Sequence, residues 1–206
     1  MSNLTIHLHH CEANFAFAPV PEPGSIQPLS VELAEGPSIV DTMAAVLRAG
    51  RAAGARAVKV RADNTLVADA EECSDFVAVL FPETGWMVAA ASLANGDKPF
   101  DNHQAAVDAA RASRLLGYDD WQLAPLEVWE RHVLDRTRHN PAVHVDLFPS
   151  IRTNDWHWTC DTCVWTVDEK TGVAASAWYV DASLGGVGSS HRGNSGFALA
   201  ARRAGQ

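Results

Sequence analysis

The sequence predicts an α+β fold, and three observations carry it. Amphipathic helices over 102–116 and 125–136 flank an aromatic corner, Gly117-Tyr118-Asp119-Asp120-Trp121. A Pro/Gly turn at 82–85 separates two apolar runs, 75–81 and 86–88, which is a hairpin signal. From Val143 onward the chain reads as strand and turn throughout. Two helices flanking a twisted antiparallel sheet are expected, with a small N-terminal α/β extension over 1–75.

Taken in order, Leu4-Thr5-Ile6-His7-Leu8-His9-His10 alternates as a strand does. His7, His9, His10 and Cys11 are ligand types, and His7 and His9 share a face, but histidines on a polar strand face are ordinarily solvated. An apolar run at 15–17 and a proline-rich loop at 19–24 follow. The helix over 38–54 has Ser38 as N-cap and Asp41 at the carboxylate position of a capping box. Ile39, Met43, Val46 and Leu47 form its apolar stripe, and Gly54 ends it. Strands are expected at 57–61 and near 65–67. Arg48, Arg51, Arg56, Lys59 and Arg61 make this region locally basic, which a solvated helix face explains.

Asp101, with Gln104 three residues on, is expected to cap the next helix, whose face carries Ala106, Ala110, Ser113 and Leu116. Gly117 stops it. Pro125 suits a first helical position, and Leu126, Trp129 and Val133 mark the apolar face that follows. Trp156-His157-Trp158-Thr159-Cys160 alternates, placing both Trp and Cys160 on one face. A strand at 176–181, Gly-rich turns at 184–188 and 193–196, and a closing strand from Phe197 complete the chain. Trp121, Trp158 and Trp178 are expected in the core.

The 206 residues suffice for one elaborated domain or two small ones, and 47% hydrophobic against 20% charged residues reads as a folded chain. Seven Trp against two Tyr points to a Trp-lined core or a Trp-rich binding face. The net charge of −9 disfavours direct nucleic-acid binding, which needs Lys and Arg, and suits a partner with a basic surface or simple solubility. Four Cys are too sparse for a disulfide scaffold. Residues 1–7 lack a signal-peptide pattern and no apolar run has the length of a membrane span, so a soluble, cytoplasmic protein is expected.

Several motifs read together resemble the Lcl-type C-terminal domain, a domain-of-unknown-function family with a C-type-lectin-like fold. They are Thr84-Gly85-Trp86-Met87-Val88, the Gly117–Pro125 stretch, Phe148-Pro149, Trp156-His157-Trp158, Ala177-Trp178-Tyr179-Val180 and Gly185-Gly186-Val187-Gly188, in the family's order over about 76–206. Gln122 stands where the family has Arg, and Ala124 interrupts its Leu-Pro step. The resemblance implies a C-type-lectin-like domain over 76–206, a phage or prophage setting, and a binding surface made by late segments laid over the sheet.

Chemistry-bearing candidates are few. Lectin-type calcium sites of this fold use Glu-Pro-Asn or Gln-Pro-Asp with Trp-Asn-Asp; here Asn154-Asp155-Trp156 has another order and the partner motif is missing. His157, Cys160 and Cys163 have ligand-like spacing, with His144 or His191 as a fourth zinc ligand, though two buried or disulfide-bonded Cys in a turn explain the pair as well. Ser189-Ser190-His191 lacks a nucleophile-elbow context. Cys160 and Cys163 also invite comparison with formylglycine-generating relatives of this fold, but the rest of that motif is not matched.

The late segments 153–159, 161–171 and 184–195 are rich in Trp, Ser, Asn, Asp and His, a composition suited to recognition. Asp161, Trp165, His191, Arg192 and Asn194 are the expected contact residues. The expected function is a non-catalytic module, cytoplasmic or virion-associated, that binds a protein or glycan with no cofactor. The alternatives are a phage-encoded inhibitor of a host nucleic-acid-handling defence complex and, third, a Cys- or metal-dependent enzyme.

Overall fold

A computed structural model describes residues 39–69, 71–93 and 95–205, with side chains from Met43, and the backbone at 5–6, 8–9 and 12–13. The expectations for His7, His10, Cys11, 15–17, 19–24 and the Ser38 cap lie outside the described residues, as do the side chains of His9, Ile39 and Asp41. The fold is α+β with antiparallel sheet, in two compact units: 1–85 with 203–206, and 86–202.

In the first unit, β1 (Thr5–Ile6), β5 (Leu66–Ala68), β4 (Val58–Arg61) and β6 (Phe76–Phe81) lie side by side in that order, all antiparallel. β2 (Leu8–His9) pairs with β3 (Glu12–Ala13). The boundary between units falls at Gly85/Trp86 rather than 75/76, because β6 is bonded to β4 along its length. Helix α1 (Ile39–Ala52) buries Met43, Val46 and Leu47, the stripe its spacing predicts. Gly50 lets it approach Pro82: a Cβ there would lie 2.6 Å from Pro82 Cγ. The basic residues are not one solvated helix face. Lys59 is buried and donates to the Glu71 carbonyl, Arg56 pairs with Asp69, and Arg61 pairs with Asp75.

In the second unit, β7 (Trp86–Ala89), β12 (Ala200–Arg203) and β8 (Gln122–Leu123) are neighbours in that order. A separate sheet has the order β11-β10-β9, from β9 (His157–Thr162), β10 (Ser176–Asp181) and β11 (Gly186–His191). β11 occupies most of a segment expected to be a turn. The register sets Tyr179 opposite Trp158 on one side and Gly188 on the other.

Helix α2 (His103–Ala112) starts one residue later than expected: Asn102, not Asp101, is the cap, and its Oδ1 accepts from the Ala105 N–H at 2.9 Å. Gln104 does not close a capping box; its amide donates to Asp108. The helix stops at Ala112 rather than 116, because Ser113 is extended and Leu116 (φ 57°) and Gly117 (φ 80°) are left-handed. Ala106 and Ala110 therefore pack in the core with Leu123, Trp158, Ala177 and Ala198, while Ser113 and Leu116 stay half-buried. Pro125 is an extended cap rather than a first helical residue. The single turn α3 (Leu126–Val128) then widens into a π turn at Trp129–Val133 and ends there, short of the expected Arg136.

Trp121 and Trp158 are buried as expected, joined by Trp129; Trp178 is only half-buried. Beside Trp121, the buried Arg202 guanidinium donates to both Asp120 oxygens at 2.5 and 2.9 Å and lies 3.7 Å over the Tyr118 ring. Asp120→Ala would strand that buried charge. The expected cost is about 2–3 kcal/mol, below the full buried-pair range because the carboxylate side of the pair reaches solvent. Urea unfolding of the variant checks this, with Asp120→Asn expected to lie between the two.

Candidate functional site

His157 and Cys160 both lie on β9, whose pairing with β10 shifts register beyond Trp158, and their surroundings differ. His157 is fully buried, with its ring 4.9 Å from Trp129 and 5.5 Å from Phe197. Cys163 is buried and Cys160 exposed, both as free thiols. Among the described residues no three His, Cys, Asp or Glu side chains are grouped to hold a metal ion. The ligand-like spacing of His157, Cys160 and Cys163 thus does not become a ligand set. His144 instead faces Asp135, 3.7 Å away.

The thiol of Cys160 is pushed up to about 11: its area is open to solvent, yet crowding by neighbouring atoms comes first, followed by the charge of Asp161. Such a thiol holds about 100-fold less thiolate at neutral pH than an ordinary cysteine, which disfavours it as nucleophile or ligand. Peptide-resolved iodoacetamide labelling should accordingly show Cys160 alkylation rising only toward pH 11. A midpoint near pH 9 would contradict this.

One Ser/His pair was not legible in the sequence. Ser92 Oγ lies 2.7 Å from His157 Nε2, and the same oxygen accepts from the Arg152 N–H at 2.9 Å. Burial pushes His157 down to about 3, against a small opposing pull from Asp181. A base working at neutral pH needs a pKa near 7, so this pair fixes the chain at Ser92 against β9 rather than activating a nucleophile. Ser190 is not turned on its neighbour either: its Oγ accepts from Asn194, and the His191 Nδ1 accepts from the Gly193 N–H.

The five expected contact residues take different roles. Asp161 is spent on structure: its Oδ2 accepts from the Leu126 N–H at 2.7 Å, at the start of α3. Arg192 is spent as well. Its guanidinium donates to His103 Nδ1 (3.1 Å), the Ala174 carbonyl and Gln104 Oε1, and its backbone accepts from the His103 N–H. His103 Nε2–H donates to the Thr159 carbonyl, so Nδ1 is the accepting nitrogen. Burial first, then the charge of Arg192, outweighs that bond and lowers the His103 pKa. His191 and Asn194 are exposed, and Trp165 is exposed over 67% of its surface.

Trp165 sits on an arm, residues 163–176, between β9 and β10. The arm is tied at its base, where Thr166 Oγ donates to the Cys163 carbonyl and accepts from the Ser176 N–H. Val167 bridges Ala174 across it. At its tip the Asp168 carboxylate accepts from the N–H and hydroxyl of Thr171 and the N–H of Lys170, which hold its pKa below the usual range. On this bonded frame Val164 (77% exposed), Trp165, Val167 and Val173 all face solvent. Trp165 also meets the half-buried Trp178 edge to face, ring centroids 5.5 Å apart.

A cleft of about 320 Å³ lies beside the same sheet, lined by the 153–156 segment, by Tyr179 and Asp181 of β10 and by Gly186 and Val187 of β11. Its aromatic wall is Trp156 stacked on Tyr179 at 4.7 Å and 28°. Gly188 makes room for Tyr179, since a Cβ there would fall 2.6 Å from the phenol oxygen. Gly196 does the same for the Trp156 and Trp158 indole edges. No protein-family model and no curated protein matches the chain.

Proposed function

We propose that the chain is a non-catalytic binding module that docks a protein partner on the 163–176 arm. One observation carries this reading: Val164, Trp165, Val167 and Val173 are exposed together on a short arm whose backbone is internally bonded. A rigid arm loses little conformational entropy on binding, and Trp is the residue type most often dominant in interfaces. The C-type-lectin-like scaffold and the phage or prophage setting implied by the family resemblance support the same reading. The net charge of −9 favours a partner with a basic surface. A host nucleic-acid-handling complex is one such partner, and inhibition by occupying its basic groove is the second form of the proposal.

Trp165→Ala should weaken partner binding by about 1–3 kcal/mol and leave Tm nearly unchanged. Quantitative co-purification from host lysate, run beside a thermal melt, checks both. Undiminished recovery with the variant would contradict the proposal. So would a wild-type dimer that Trp165→Ala turns into a monomer, since the arm would then be covered by a second copy.

A further inference from the structure

We propose that the cleft bordered by Trp156 and Tyr179 binds a guanidinium group, presented by an arginine side chain of the partner. This rests on the binding-module reading for the source of the arginine, while the site itself stands on its own geometry.

The cleft presents two carboxylates beside two aromatic rings. Asp155 and Asp181 line it together with Trp156, Tyr179, Asn154 and Ser183, and none of its lining residues is Lys, Arg or His. Each carboxylate has one oxygen committed to the backbone around it. Asp155 Oδ1 accepts from the Trp156 N–H, and Asp181 Oδ1 accepts from Ser183 N–H, Ser183 O–H and Leu184 N–H. These bonds fix both side chains and leave each second oxygen without a protein donor among the described residues. Burial works against the charge on Asp181, but the Ser183 and Leu184 bonds outweigh it and hold its pKa below the usual range, so it stays ionised at neutral pH.

That combination selects a ligand. Two fixed negative charges with no cation among the lining residues repel phosphates and carboxylates. A neutral sugar could stack on the rings and donate its hydroxyls to the carboxylates, but it brings no opposite charge. A planar guanidinium stacks on an aromatic face and donates in a fork to carboxylate oxygens, so it answers both features at once. The aromatic wall is preformed: Trp156 and Tyr179 stack on each other, and Trp158 meets Trp156 edge to face at 6.4 Å.

The test is an NMR titration of the full-length chain, following the backbone amides of Asp155, Trp156, Tyr179 and Ser183. N-acetyl-L-arginine amide should produce saturable shifts with a millimolar Kd. N-acetyl-L-citrulline amide, its uncharged isostere, should bind at least about tenfold more weakly. Asp155→Asn with Asp181→Asn should weaken the arginine derivative by a similar factor while the chain stays folded, with Tm lowered only by the loss of the Asp181 charge, because Asn Oδ1 still accepts the same backbone bonds. Equal shifts from the two derivatives, no shift from the arginine derivative at about 20 mM, or shifts only from a methyl pyranoside would overturn the assignment. No partner protein enters this titration, so its failure leaves the Trp165 arm standing, and the failure of the arm leaves the cleft standing.

Discussion

Between pH 6.5 and pH 3 the protein should lose about 4 kcal/mol of stability through His157 alone. The imidazole is fully buried between Trp129 and Phe197, so the folded state refuses a proton until pH about 3, whereas the unfolded chain accepts one near 6.5. The folded pKa is the lower of the two. Stability is therefore complete above 6.5 and falls as pH drops, by about 1.4 kcal/mol per unit for one proton. His103, also lowered by burial, adds a loss of the same sign. Asp181, whose folded pKa is depressed, adds a further loss once pH falls below the ordinary carboxylate range. Urea unfolding at a series of pH values separates these contributions. His157→Gln keeps a polar group beside Ser92 but cannot titrate, so its slope between pH 6 and 4.5 should be shallower by about one proton. Parallel slopes for the variant and the parent would mean that His157 is not held neutral by burial.

Trp121→Ala should cost about 3–5 kcal/mol. The ring is 2% exposed and its Nε1 donates to the Leu115 carbonyl at 2.9 Å, so truncation opens a large cavity and removes the bond that holds the left-handed turn at Leu116 and Gly117. The same turn delivers Asp120 to Arg202, and the two effects should therefore be coupled. Combining Trp121→Ala with Asp120→Ala should destabilise by less than the separate losses together. Trp165→Ala supplies the contrast, because an exposed ring on the arm contributes little to stability. A Trp121→Ala variant that melts with the parent would show that this corner does not organise the second unit.

What was legible in the sequence follows from how local its cause is. The stripe Met43, Val46, Leu47 and the aliphatic and aromatic run across 176–181 are one-element patterns, and the helix and strand they predict are present. Helix ends were less legible. Asp101 and Asn102 are adjacent and both able to cap, and only the backbone geometry selects Asn102. Nothing in Ser113-Arg114-Leu115-Leu116 announces that the helix has already stopped. At the candidate site the difficulty was distance along the chain. Asp161 is bonded 35 residues away at Leu126, and Arg192 is bonded 89 residues away at His103; both residue types suit recognition, and both are spent on structure. Trp165 differs because the 3-10 turn at Val164–Thr166 leaves its ring outside the core. The cleft joins Trp156, from the segment before β9, to Tyr179 and Asp181 of β10, a meeting that only the strand register creates.

Hydrogen exchange with and without the co-purified partner locates the docking surface. If the arm is the docking surface, amides across 164–174 should gain protection in the complex while those of α1 and β4 in the first unit exchange as they do in the free protein. Protection confined to residues 43–69, with the arm unchanged, would place the contact on the first unit and contradict the account.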